Sequence, residues 1–209
     1  WSWLAYSNFT QTPISLLTGL RSYYKADTSW SFPDTHWSNN GTISGASYNS
    51  SGKINWAYSF DWVNDTIWVS DTTGSILDWD FSVSVWFNVD TGASSQGWIY
   101  KFWLRDVWIR RGNVANNIQF QLFNWGSSNY LNSPVNKNER VHCVCVRDKS
   151  AWMKLYVNGV VEASNSFTWN ADTASTVQEA FGNLNWTSQY FDWKIDEFAL
   201  YTKALTATD

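Results

Sequence analysis

The stretch Phe81–Val89, FSVSVWFNV, decides the fold. Phe81, Val83, Val85, Phe87 and Val89 recur at every second position, which is the period of a β-strand and places all five on one face. Trp86 falls on the opposite face, so that side is expected to be covered too, as core, in a two-layer sandwich. Val144, Leu155 and Val157 are expected beside the inner row.

Working outward, the same period returns on both sides. LRSYYKA (20–26) alternates like a half-buried strand, and AYSF and TIWVS follow, separated by the turn-like segment 61–65. Residues 27–42 read as a long polar loop. Three short strand candidates lie within 97–131, IQFQLF (118–123) being the clearest. RVHCVCVRD and MKLYVNGVVEAS form a strand and then a hairpin on Asn158-Gly159, a type I′ signal. VQEAFGN and FDWKIDEFALYTKAL close the chain. No 3.6-residue period is sustained, so helix is limited to a turn or two, expected at 202–206. Strands spaced in this way over some 190 residues predict one large antiparallel sandwich of about 12–14 strands. Residues 1–18 are polar and aperiodic and read as a linker or N-terminal arm, leaving 19–209 as the domain.

Composition narrows the function. The 209 residues carry a net charge of −4 and no Lys/Arg run. Nucleic acid, which needs a clustered positive surface, is therefore not an expected partner. No stretch has the ~18 apolar residues of a membrane span. A chain opening on Trp1 without Met reads as an excised domain, with any export signal cut away. Cys143 and Cys145 share one strand face at i, i+2, where disulfide geometry is poor; they read as buried free thiols.

The ordered set of motifs resembles the laminin-G-like branch of the concanavalin A-like lectin/glucanase jelly rolls. GLRSYYKAD is similar to the first strand of that family, and DTHWSNNGTISGASY to its first long loop. GKINWAYSFDWVNDTIWVSD resembles the pattern Gly-Lys-Ile-x-x-Ala-x-Ser-Phe-Asp-Gly-x-Asn-Asp-Tyr-Ile. FSVSVWFN, MKLYVNGVVEAS and KIDEFALYTKALTATD are similar to its central strand, late hairpin and closing strand. The resemblance implies an all-β, antiparallel, two-sheet jelly-roll β-sandwich. It also implies an extracellular, cell-surface or virion-attached recognition or adhesion module for glycan or cell-surface polysaccharide. A structural spacer and, further off, a glycoside hydrolase are the other readings.

Against that pattern the tryptophans are out of place. Of 17, Trp37, Trp62, Trp79, Trp152 and Trp193 stand where the family has glycine. Trp30, Trp56, Trp98 and Trp186 fit the same description, while Trp86 matches a family Trp. Six tryptophans follow Asn or Asp, and only 11 glycines serve a turn-rich chain. Asn-Gly and Asp-Gly are turn signals because glycine tolerates φ > 0; Asn-Trp has no such rationale. The recurrence implies a gene that uses UGA for glycine, mistranslated as Trp. These residues are then expected in turns and at strand ends, many at positive φ. The opposing reading takes the rings as sugar-stacking platforms; without them Tyr100, Tyr130 and Tyr190 are the remaining candidates.

Catalytic chemistry finds little support. The four Glu (139, 162, 179, 197) do not form the Glu-x-Asp-x-x-Glu motif of the fold's hydrolases. Asp196 and Glu197, adjacent on a strand, are expected to face opposite ways. His36 and His142 have no nucleophile elbow to serve. No catalytic residue is assigned. A structural Ca²⁺ is the cofactor that the resemblance implies, with Asp34 and Asp196 as ligands and Asn39 and the Trp37 carbonyl as extra donors. The competing reading of Asp34 is an Asx cap on a turn. Sugar binding is expected at the rim loops 27–42, 61–65 and 185–193, whose Asn, Ser, Thr and Asp side chains can pair with hydroxyls.

Overall fold

The computed structural model describes residues 14–70, 79–89, 97–102, 107–111, 117–124, 127–136, 138–168, 179–183 and 190–209. The described residues form one four-residue helix, α1 (Ile14–Leu17), and fifteen strands. The first five strands are β1 (Leu20–Tyr24), β2 (Gly41–Ser44), β3 (Ser47–Asn49), β4 (Ala57–Ser59) and β5 (Thr66–Val69). The middle five are β6 (Phe81–Val89), β7 (Trp98–Phe102), β8 (Val107–Arg111), β9 (Asn117–Asn124) and β10 (Ser127–Pro134). The last five are β11 (Arg140–Asp148), β12 (Trp152–Val157), β13 (Val160–Asn165), β14 (Glu179–Gly182) and β15 (Trp193–Tyr201).

Two antiparallel sheets stack face to face. One has eight strands in the order β13-β12-β11-β6-β15-β4-β3, with β1 also on β15; the other has seven in the order β10-β9-β8-β7-β14-β5-β2. The expected jelly-roll β-sandwich is what the chain forms. Region 97–134 holds four strands rather than three. Residues 14–17, read as arm, include the helix, and 202–206 are bends and irregular chain rather than helix.

The alternation in β6 does what its pattern dictates. Phe81, Val83, Val85 and Phe87 are buried between the sheets, and Phe81 meets Phe120 of the other sheet edge-on at 6.4 Å. Tyr24, Phe32, Tyr100, Phe181 and Phe198 form an aromatic knot, with Phe181 and Phe198 perpendicular at 4.7 Å. Edge-to-face contacts of this kind add to the burial of large apolar area. Leu155 and Val157 join this core as expected.

Val144 does not. It pairs with Ser84 and packs into a second cluster of Val146, Tyr156, Ala199, Tyr201 and Leu205, with Leu16 against it. The inward positions of β11 belong to Cys143 and Cys145, whose free, buried thiols lie 3.6 Å apart. The hairpin on Asn158-Gly159 has φ of 50° and 84°, as a type I′ turn requires.

Candidate functional site

Of the residues expected to hold a cation, Asp34, Asn39 and Asp196 are buried and Trp37 is exposed. Asp34 is 7% exposed, and its Oδ1 accepts hydrogen bonds from the amides of Tyr23, His36 and Trp37, each at 3.0 Å. This is the Asx-cap geometry of a turn. Its Oδ2 has no hydrogen-bond partner. Asn39 is buried; its backbone carbonyl accepts the Tyr24 hydroxyl at 2.7 Å, and its Nδ2 is unpartnered. Trp37 gives its amide to Asp34, and its ring, 53% exposed, carries the Arg21 guanidinium at 3.7 Å.

Asp196 lies on β15 and is 4% exposed. Its Oδ2 accepts from the amides of Lys53 at 2.5 Å and Ile54 at 3.1 Å, while Oδ1 is unpartnered. The loop can wrap this carboxylate because Gly52 has no side chain: a Cβ there would sit 2.0 Å from the Trp56 carbonyl oxygen and 2.8 Å from Asp196 Oδ2. Burial raises the Asp196 pKa to about 6 against these backbone donors, and the charge of Asp27 pushes the same way. Asp27, which the sequence reading did not single out, also keeps a buried, unpartnered Oδ1. Among the described residues no cluster of three or more His, Cys, Asp or Glu forms a ready metal cage.

Asp196 and Glu197 were expected to face opposite ways. Instead, β15 shifts register between Asp196 and Ala199, and Glu197 takes φ 47°. This bulge turns the Glu197 carboxylate to line a cleft with Tyr23 and Trp86, on the side where Asp196 lines a neighbouring one. Such bulges re-aim side chains. Glu197 accepts a short hydrogen bond from the Tyr23 hydroxyl; burial raises its pKa, the Tyr23 bond opposing this and Asp196 reinforcing it. Both carboxylates are nearly buried, so neither offers an open pair flanking a scissile bond.

The outer face of the eight-stranded sheet is more accessible. Trp86, expected to be core, is half-buried there, because the face is only partly covered. Its cross-strand partner is His142, stacked on it at 4.8 Å with 17° between the planes. His142 Nε2 bonds Ser84 Oγ at 2.8 Å. Burial lowers the His142 pKa, and the Lys53 charge adds to this. Lys53 Nζ stands 4.3 Å from the Trp86 ring centroid, a cation–π contact. Lys53, Trp86, Arg140, His142, Asn158 and Gly159 line an open cleft of about 470 Å³.

The other aromatic candidates are less suited. Tyr100 is in the core and donates to Glu179 at 2.5 Å. Tyr130 is exposed on β10, and Tyr190 is half-buried. Of the rim loops, 27–42 and 61–65 are described; residues 185–189, with Trp186, lie outside the described residues.

With this geometry in place, the family can be stated. Residues 64–209 match Laminin_G_3 of the concanavalin A-like lectin/glucanases superfamily, and the chain belongs to that family. No curated protein matches the chain. Among solved structures it is similar to domain 4 of AbnA, an extracellular arabinanase from Geobacillus stearothermophilus, solved with arabinotriose. The TM-score is 0.71 at 20% identity, covering 90% of this chain and 95% of that one. It is also similar to the receptor-binding domain of a botulinum neurotoxin C/D mosaic serotype, with TM-score 0.73, 16% identity and 91% of this chain covered. A botulinum neurotoxin type C structure, whose cell entry depends on two ganglioside molecules, matches at TM-score 0.71 and 15% identity over 91% of this chain. The chain spans about half of the two neurotoxin chains, 49% of each.

Proposed function

We propose that this domain is a non-catalytic saccharide-recognition module of an extracellular, cell-surface or virion-attached protein, its fold stabilised by a structural Ca²⁺. The observation that carries the reading is the partly exposed Trp86 ring in an open cleft beside amide and basic side chains. Such a cleft combines an apolar surface for a pyranose ring with a few directional polar groups, the usual composition of a small-ligand site. The neighbours solved with arabinotriose or dependent on gangliosides support the same class of ligand. The sheet face, rather than the rim first expected, is the preferred location.

The calcium reading rests on unpartnered acceptors. Asp34 Oδ2 and Asp196 Oδ1 are buried without hydrogen bonds, and Asp27 Oδ1 adds a third. Hard oxygen donors suit Ca²⁺, whereas the unpartnered Nδ2 of Asn39 is a donor and does not. The carboxylates of Asp34 and Asp196, with the Asn39 side-chain oxygen and the Trp37 carbonyl, would hold the ion, and Asp27 supplies further negative charge. Calcium would neutralise the Asp196 carboxylate, whose burial disfavours its ionised form.

A glycan array probed with and without calcium, followed by a reducing-sugar assay on each bound glycan, tests the reading. Binding without release of reducing ends is expected. Silence across diverse glycans in both conditions would favour a structural spacer, and release of reducing sugar would make the domain an enzyme.

A further inference from the structure

Strand register gathers charge beside Trp86 in a way the net charge conceals. Lys194, Asn88 and Arg140 are successive cross-strand partners on β15, β6 and β11. The next row on the same face is Asp196, Trp86 and His142, continued by Asn158, whose Oδ1 accepts from the His142 amide at 2.9 Å. Lys53 reaches the Trp86 ring from the loop before β4. Lys53 and Arg140 thus line the open cleft beside the partly exposed Trp86 ring, and Lys194 joins them in a narrow crevice at its edge. Lys53 and Arg140 are exposed and Lys194 half-buried; among the described residues none of the three forms an ion pair. Lys194 Nζ only donates to Ser51 Oγ at 3.2 Å.

The acidic member of this cleft forms no ion pair with them among the described residues. Asp196 turns one oxygen to the Lys53 and Ile54 amides, and the other is buried. Three cations therefore converge on solvent around a stacking surface, in a chain whose formal charge is −4. Further along the strands the face becomes apolar, through Val144, Val146 and Tyr156.

We propose that the ligand of this cleft is an acidic saccharide, carrying carboxylate or sulfate groups, stacked on Trp86 and paired with Lys53, Arg140 and Lys194. Arg140 offers a planar fork that matches an oxyanion, and the two lysines act as point charges. Asn88 and Asn158 supply both donors and acceptors for hydroxyls. This rests on the sheet face being the saccharide site, and it narrows the class of sugar.

Isothermal titration calorimetry of the whole domain with four probes tests it: tetragalacturonate, a sulfated galactotetraose, neutral galactotetraose and tripolyphosphate. Tighter binding of an acidic tetrasaccharide than of the neutral one is expected, with affinity falling as salt rises. Lys53→Gln, Arg140→Gln and Lys194→Gln should each weaken acidic-sugar binding about two- to fivefold, the range for exposed charge pairs. In each variant the loss should be smaller for the neutral sugar than for the acidic one, because only the acidic sugar loses a charge partner. The better of the two acidic arms tells carboxylate from sulfate. Equal, Trp86-dependent binding of neutral and acidic sugars would overturn the acidic preference and leave saccharide binding standing. Tripolyphosphate binding as tightly as either acidic sugar would reduce the cleft to an unspecific charge patch. No binding by any probe would overturn the proposal, while hits for neutral glycans elsewhere on an array would still support saccharide recognition.

Discussion

Trp62 has φ 69°, a left-handed conformation in which a bulky side chain is a steric outlier. Its amide is fixed there by the Phe191 carbonyl at 3.1 Å, so the backbone holds the conformation whatever side chain it bears. Trp30, Trp37, Trp56 and Trp79 lie in loops and bends with 93%, 53%, 40% and 65% of their surface exposed, more than a chain gains by placing large rings in turns. Trp98, Trp152 and Trp193 begin strands β7, β12 and β15. The expectation of turns and strand ends is met at these eight positions, but that of frequent positive φ holds only at Trp62 among them. Trp98 and Trp193 are buried, and Trp193 packs edge-on to Phe191 at 5.0 Å, so geometry alone does not mark these two as glycine sites. Peptide mass spectrometry of protein purified from its source organism decides the matter. Glycine is expected at Trp62 and the exposed loop positions, with Trp at Trp86; a mass matching all 17 tryptophans would end the recoding idea.

At the scale of elements, β15 and the loop before β4 form one device. The bulge after Asp196, with Glu197 at φ 47°, and the glycine-enabled wrap of residues 52–54 bury a carboxylate whose pKa is about 6, against an ordinary value of 3.8. In calcium-free protein, the folded state then holds this proton more tightly than the unfolded state does. The associated stability is fully present below about pH 3.8 and is lost as pH rises through about 6. The melting temperature of calcium-stripped protein should fall across that window, and Asp196→Asn should flatten the fall. Glu197 acts in the same sense. His142, with its lowered pKa, acts in the opposite one, and the difference between wild type and Asp196→Asn separates them. Added calcium should raise the melting temperature most above pH 6, where the carboxylate is ionised. No difference between the two proteins would contradict the burial argument, and no response to calcium would remove the ion. Sequence made some of these elements legible and not others. The alternation of β6 and the Asn158-Gly159 turn are local signals, and both appear as read. The bulge could not be read, because the contact it serves, Glu197 with the Tyr23 hydroxyl, joins residues 174 positions apart. Val144 turns to the other face because apolar residues fall on both sides of β11, Val141, Cys143 and Cys145 on one and Val144 and Val146 on the other, so its period does not say which side turns inward.

For the whole molecule, the two sheets divide the labour. The seven-stranded sheet and the inner face of its partner bury the aromatic knot, leaving the outer face of the eight-stranded sheet to carry Trp86, His142 and the basic row. Those residues are scattered in sequence at 53, 86, 140, 142, 158 and 194; the register of β6, β11 and β15 unites four of them, and the loop before β4 and the β12–β13 turn add Lys53 and Asn158. No spacing rule could have exposed this site, whereas the rim loops stood out through composition alone. The distinction between Trp86 and the exposed loop tryptophans gives the most direct measurement. A glycan array run in parallel on the wild type, on Trp86→Ala and on the triple variant Trp30→Gly, Trp37→Gly, Trp79→Gly separates the sheet face from the exposed rings. If saccharides bind the sheet face, the glycans held by the wild type are lost in Trp86→Ala and kept in the triple variant. Binding that survives Trp86→Ala and disappears from the triple variant would place recognition on the exposed loop rings and contradict the sheet-face site.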